Sequence, residues 1–132
     1  MIKGLGHVCF GVADLERSVA FYRDKLGFKC AYDFVDANGR QIGQCLHIGG
    51  RSFIELFRSS LPAPAEQGHR HVCFEVDDIE AAAAELKRRG VEVTKINRGS
   101  DRSYNVWLAD PDGNRLELQQ YTAESKQGAW IG

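Results

Sequence analysis

Alternation of apolar and polar positions defines most of the elements in this chain. From Gly6 to Val12, the residues Val8, Phe10 and Val12 alternate with His7, Cys9 and Gly11. That two-residue period predicts a strand with one covered face and one uncovered face. Asp14 then caps a helix of about a dozen residues whose stripe is Leu15, Val19, Phe21, Tyr22 and Leu26, and Gly27 ends it. The Val8, Phe10 and Val12 face should meet this stripe, which leaves His7 on the opposite face. Three strands follow, at about Phe28–Val35, Arg40–Ile48 and Arg51–Phe57, with turns at Asp36-Ala37-Asn38-Gly39 and Gly49-Gly50. In the last of them Ile54 and Leu56 read as the helix-packed side, so Glu55 shares the side of His7.

The segment Leu61–Gly68, with Pro62 and Pro64, reads as a linker. Beyond it the pattern starts again: a strand His71–Val76, a helix capped by Asp78 and stopped by Gly90, and a strand Val91–Ile96. A loop Asn97–Ser103 leads to strands Tyr104–Ala109 and Arg115–Tyr121, joined by the turn Asp110-Pro111-Asp112-Gly113-Asn114. The tail from Thr122 has no clear period, and Trp130 is large enough to pack against a neighbour.

The recurrence extends to residue identity. His7-Val8-Cys9-Phe10-Gly11-Val12-Ala13-Asp14-Leu15-Glu16 returns 64 positions later as His71-Val72-Cys73-Phe74-Glu75-Val76-Asp77-Asp78-Ile79-Glu80, with seven of ten residues identical. Ile54-Glu55-Leu56 returns as Leu116-Glu117-Leu118 at a spacing of 62. The chain is therefore two copies of one βαβββ unit. The first module spans about residues 4–60 and the second about 69–121, followed by a tail at 122–132. Modules of this size are marginal alone, so a single domain over residues 1–132 with a shared core is expected. The fold class is α+β, with paired modules forming a half-open barrel or cleft and helices outside.

Composition narrows the function. A net charge of -1 and a pI near 6.4 leave no electrostatic footprint for nucleic acid. Lys87-Arg88-Arg89, the one basic run, closes a helix where positive charge suits the dipole. No apolar run approaches the ~18 residues of a membrane span. Four cysteines without a CxxC pair or an N-terminal signal segment read as reduced thiols of a cytoplasmic protein.

The candidate chemistry lies in the repeat. Each module opens on an inward histidine and closes on an inward glutamate, so edge pairing of the two modules would assemble His7, Glu55, His71 and Glu117. Two imidazoles and two carboxylates without a thiolate suit a divalent metal ion: Ni, Co, Mn or Fe, or Zn with an expanded shell. Two coordination positions would remain for water or substrate. Only His71 aligns with His7, so His69 reads as a loop residue and His47 as a strand-end residue. Cys9 and Cys73 read as small buried thiols that fill space. Phe53, Phe57, Tyr104, Trp107 and Arg115 lie on strands near the expected cleft, and Arg115 is the candidate for holding an anionic substrate.

The paired modules, the opening His7-Val8-Cys9-Phe10-Gly11-Val12-Ala13-Asp14-Leu15 and the closing Asp110-Pro111-Asp112-Gly113-Asn114-Arg115-Leu116-Glu117-Leu118 resemble the vicinal oxygen chelate superfamily. That superfamily includes glyoxalase I, methylmalonyl-CoA epimerase, extradiol dioxygenases, fosfomycin-resistance transferases and bleomycin-sequestering proteins. The full His/Glu/His/Glu set is similar to that of glyoxalase I. The resemblance implies a lyase or isomerase that stabilises an enediolate or enolate on a small substrate with adjacent oxygens, with Glu117 or Glu55 as the base. Dioxygenases and fosfomycin transferases of the superfamily use three ligands, here His7, His71 and Glu117. An Fe(II) dioxygenase, a thiol transferase and a sequestering protein are the alternatives. The resemblance also implies a homodimer. Bacterial glyoxalases carry an arginine four residues after the first histidine and an asparagine four after the first glutamate. This chain has Gly11 and Ser59 there, which points away from glutathione.

Overall fold

A computed structural model describes residues 5–59 and 71–131. The chain divides into two compact units, Met1–Ala65 and Glu66–Gly132. The division falls in the Pro-bearing segment read as a linker, which lies outside the described residues, as does His69.

The first unit runs β1 (His7–Val12), α1 (Leu15–Ala20), a π-helical turn (Phe21–Lys25), β2 (Lys29–Val35), β3 (Gln41–Gly49) and β4 (Ser52–Arg58). Its sheet has the order β1-β4-β3-β2, with β1 and β4 parallel and the other pairs antiparallel. Asp14 caps α1 as expected, its Oδ1 accepting from the Arg17 amide at 3.0 Å. The helix packs on β4 and β3. Phe10, Val12, Leu46, Ile54 and Leu56 of the sheet are buried together with Leu15, Val19 and Tyr22. Burying each such side chain contributes roughly 1.5–3 kcal/mol, so this one-sided core determines which sheet face is covered. Tyr22 is fully buried and stacks between Phe10 (6.4 Å) and Phe28 (5.8 Å).

The expected single helix is thus two segments. After Ala20 the backbone widens, and the Leu26 amide bonds the Phe21 carbonyl at 3.3 Å. Side-chain spacing does not reveal this, because a π turn adds only one residue to an α turn. Gly27 then reverses the chain at φ +78°.

The second unit runs β5 (Val72–Glu75), α2 (Ile79–Arg88), β6 (Asn97–Arg98), β7 (Tyr104–Ala109) and β8 (Arg115–Gln120). Its order, β5-β8-β7-β6, repeats the first, again with the opening strand parallel to the closing one. Asp78 caps α2 through the Ala81 amide at 2.9 Å. Ile79, Ala83 and Leu86 are buried, as are Val106, Leu108, Leu116 and Leu118 of the sheet. Tandem βαβββ units of the α+β class are therefore present, each built on an open four-stranded sheet. Among the described residues no helix is long and apolar enough to cross a membrane.

Two expectations need correction. Val91–Ile96 is not a strand, and the short β6 lies inside the segment expected to be a loop. Thr94 does run beside β7, but the Trp107 amide bonds its hydroxyl (2.9 Å) where a ladder would use a carbonyl. Val91 is buried and Val93 half-buried, but Glu92, Thr94, Lys95 and Ile96 face solvent, so the apolar side ends after two positions and does not hold the whole segment in a pleat. The tail is not irregular throughout: Lys126–Ala129 forms a 3-10 turn. Ser125 Oγ meets Ser103 Oγ at 2.8 Å, and the Lys126 amide bonds the Asp101 carbonyl at 2.9 Å. Trp130 is 87% exposed and packs on nothing that would bury it.

Two expected outcomes follow from this packing. A β-carbon on Gly43 would lie 2.7 Å from the Leu56 carbonyl and 2.8 Å from the Phe57 ring. Gly43→Ala should lower the unfolding free energy by about 1–3 kcal/mol, seen as a lower urea midpoint at unchanged slope; unchanged stability would show that the ring yields freely. Secondly, Arg58 of β4 holds the Glu16 carboxyl of α1 down to about 2 through their hydrogen-bonded ion pair. A depressed carboxylate stabilises the fold above its unfolded pKa, and that stabilisation is lost as pH falls through the folded value. Wild type should therefore lose more stability than Glu16→Gln between pH 4.5 and 2, with the difference shrinking in high salt because the pair is exposed. Parallel acid limbs for the two proteins would remove the pair from the stability of the fold.

Candidate functional site

In both units the helix covers one sheet face, and strand parity sends the chemistry to the other. Parallel pairing sets Cys9 opposite Glu55 and Cys73 opposite Glu117. The histidine two residues before each cysteine shares that face and lies diagonal to the glutamate. In the first unit His7 Nε2 is 3.4 Å from Glu55 Oε2, with side chains 53% and 15% exposed. In the second, His71 Nε2 is 3.1 Å from Glu117 Oε2, with side chains 37% and 9% exposed. Each expected His/Glu pair is thus brought together within its own unit.

An imidazole nitrogen and a carboxylate oxygen converging this closely are donors of the kind that hold a divalent ion through N and O. Among the described residues no group of three or more His, Cys, Asp and Glu side chains is spaced to hold one. Each unit thus supplies one His/Glu pair, two donors of the kind a divalent ion takes and fewer than a full ligand set.

The two His/Glu pairs differ in their surroundings. Beside Glu55, the row Gly11, Phe57, Gly43, Phe34 crosses the sheet. Phe57 lies 4.6 Å from Phe34, whose ring meets Tyr32 edge-on at 5.2 Å. The Tyr32 hydroxyl is pushed up, first by its hydrogen bond with the Cys45 thiol and then by desolvation. In the second unit the matching row is Glu75, Gln119, Asn105, Asn97, polar throughout. Buried Asn105 donates from Nδ2 to Glu117 Oε1 at 3.2 Å. Gln119 Nε2 and Gln127 Nε2 both donate to Asp101 Oδ2, at 2.8 and 2.7 Å. Burial pushes Asp101 up, but hydrogen bonds from Gln127 and Ser103 outweigh it and hold the carboxyl below its usual range.

Trp107 sits opposite Glu117 in the ladder and meets the His71 ring edge-on at 4.8 Å. The Arg115 guanidinium lies over the Trp107 ring at 4.6 Å, a cation–π contact that sets the arginine beside the ring that meets His71. Phe53 contacts His47 at 4.9 Å, and His47 Nε2 donates to the Gly50 carbonyl at 3.0 Å, so that imidazole serves its turn.

All four cysteines are free, and Cys9 and Cys73 are exposed rather than buried. Sharing the histidine face, they lie on the side that no helix covers. Partial burial of the sulfur and then the Glu117 charge push the Cys73 thiol up to about 12. Burial and then Glu55 raise Cys9 in the same way. Both thiols are therefore poor nucleophiles near neutral pH. Gly11 and Ser59 prove to be neighbours: a β-carbon at Gly11 would lie 3.0 Å from Ser59 Cβ. A larger side chain at either position would displace the other.

Sequence reasoning missed Asn105, Gln119, Tyr32 and the Asp101–Gln127 pair. Parity carries a signal for the first two, since Asn105 is two residues before Trp107 and Gln119 two after Glu117. Asp101 and Gln127 meet through the fold of the tail, which no local pattern encodes.

Residues 4–118 match the model of the Glyoxalase/Bleomycin resistance protein/Dioxygenase superfamily. The chain is 34% identical over 129 residues to the uncharacterized protein YaeR of Escherichia coli, covering 90% of this chain and 97% of that one. It is 31% identical over 123 residues to the glutathione transferase FosA of Serratia marcescens, covering 89% and 81%. With mouse mitochondrial methylmalonyl-CoA epimerase it shares 33% identity over 131 residues, covering 88% and 72%. The crystal structure of a glyoxalase family protein from Enterococcus faecalis superposes with a TM-score of 0.78 at 29% identity, covering 89% and 97%. Repeated units, the parallel pairing of first and last strand in each, and a match over nearly the whole chain lead to one conclusion: the protein belongs to the glyoxalase/bleomycin resistance protein/dioxygenase superfamily.

Proposed function

We propose that the protein is a metal-dependent lyase or isomerase, acting on a small substrate with two adjacent oxygens as a homodimer. The observation that supports this reading is the twofold convergence of His Nε2 on Glu Oε2, at 3.4 Å and 3.1 Å, at repeat-equivalent positions. His7, Glu55, His71 and Glu117 are the proposed ligands of a divalent ion. Such an ion acts as a Lewis acid toward negative charge developing on substrate oxygens. The residues of the chain do the rest. Glu117 or Glu55 takes the proton from the carbon next to the carbonyl, the C–H electron pair moves toward oxygen, and the carboxylic acid returns the proton at that carbon or its neighbour. Arg115, held over Trp107, binds an anionic part of the substrate. Phe34 and Phe57 offer an apolar wall beside Glu55.

Similarity to FosA favours a second reading, a thiol transferase that uses only His7, His71 and Glu117. The two readings differ over Glu55. As a lyase or isomerase, the metal-free full-length protein should bind Co(II) in a calorimetric titration, and both Glu117→Gln and Glu55→Gln should weaken binding. For Glu117 the loss should exceed the roughly 10–100-fold typical of losing an outer partner. Unchanged Co(II) affinity in Glu55→Gln, with loss in Glu117→Gln, would favour the transferase. If the wild type takes up none of Co(II), Ni(II), Mn(II), Fe(II) or Zn(II), both readings fail.

A further inference from the structure

The two glutamates stand at equivalent stations but are held differently. Glu117 is engaged at both oxygens, with Oε2 toward His71 Nε2 at 3.1 Å and Oε1 accepting from Asn105 Nδ2 at 3.2 Å. The direction of the amide follows from chemistry: a carboxylate only accepts, so the NH₂ end must face it. Asn105 and Glu117 are each only 7% exposed, so water does little to weaken this contact.

Keeping an amide there is costly. Asn105 Oδ1 is buried without a hydrogen-bond partner, and a buried acceptor left unsatisfied costs its desolvation with no return. A leucine of the same branched shape would avoid that cost but would leave the buried Glu117 Oε1 without its donor, so the amide serves the carboxylate. In the first unit the corresponding place is Gly43, against which the Phe57 ring lies. It carries no side chain to play the same part toward Glu55.

We infer that Asn105 is a positioning residue: it holds Glu117 with Oε2 turned to His71 and makes Glu117 the more firmly held of the two carboxylates. This rests on the ligand reading proposed above. Asn105 then belongs to the outer partners that orient a ligand, whose loss typically lowers metal affinity about 10–100-fold. Glu55, without such a partner, contributes less to binding than Glu117 does.

The test is calorimetric titration of the metal-free full-length protein with Co(II), comparing wild type with Asn105→Leu, Asn105→Ala, Glu117→Ala and Glu55→Ala. Asn105→Leu keeps the branched shape at a larger volume and removes the donor, and Asn105→Ala stands in should the leucine variant not fold. Either Asn105 variant should raise the Kd about 10–100-fold. Glu117→Ala should raise it more than Glu55→Ala does. Added to Glu117→Ala, the Asn105 change should cost little further, because it acts through the missing carboxylate. A merely structural role would lower the melting temperature of the metal-free protein and leave the Kd unchanged; that result overturns the inference while leaving the ligand reading intact. An equal loss in both backgrounds overturns it as well. Failure of the wild type to bind Co(II) overturns both.

Discussion

Parallel pairing between the first and last strands of each unit is the constraint on which the site depends. It sets β1 beside β4 and β5 beside β8 in a register that places Cys9 against Glu55 and Cys73 against Glu117. With that register fixed, each histidine reaches the glutamate diagonally across the pair. A slip of one residue would send every side chain of the strand to the other face and bury the imidazole under the helix. The register is held by burial on the helix side. Phe10 and Val12 face inward with Ile54 and Leu56, and Phe74 lies in register with buried Leu118. The apolar core therefore positions the polar face it never touches.

Duplication produced two copies of this arrangement, and the copies have diverged where the pairing permits. The strand row next to each His/Glu pair is Gly11, Phe57, Gly43, Phe34 in one unit and Glu75, Gln119, Asn105, Asn97 in the other. These faces tolerate such exchange because the helix of each unit packs on the opposite side. The first row makes an aromatic wall and the second an amide network, so the two halves offer different chemistry to whatever lies against them. Burial of Asn105 beside Glu117 strengthens that hydrogen bond, and the same burial raises the Cys73 thiol. A face that could have carried a nucleophilic cysteine instead carries one kept protonated near neutral pH.

The sequence by itself determined a good deal. The recurrence of His and Glu was readable because whole strings of residues repeat at spacings of 64 and 62. Strand parity, the Asp14 and Asp78 caps and the glycine stops were readable because each depends on a period or spacing within about a dozen residues. The directions of His7, Glu55, His71 and Glu117 followed from the same local rule. Where an element depends on distant partners, reading failed. Val91–Ile96 has the composition of a strand, yet at Thr94 it borders β7 through one backbone bond and the side-chain hydroxyl, not a continuous ladder. The π turn at Phe21–Lys25 accommodates Tyr22 between Phe10 and Phe28, two residues outside that turn. Trp130 looked like a packing residue, but packing needs a surface, and that surface is set by the fold. Only tertiary structure decided that Asn105 meets Glu117, that Gly43 lies under Phe57, that Gly11 borders Ser59 and that Asp101 receives Gln127. These contacts join residues that share no local period, and their distances follow from how whole strands are laid side by side.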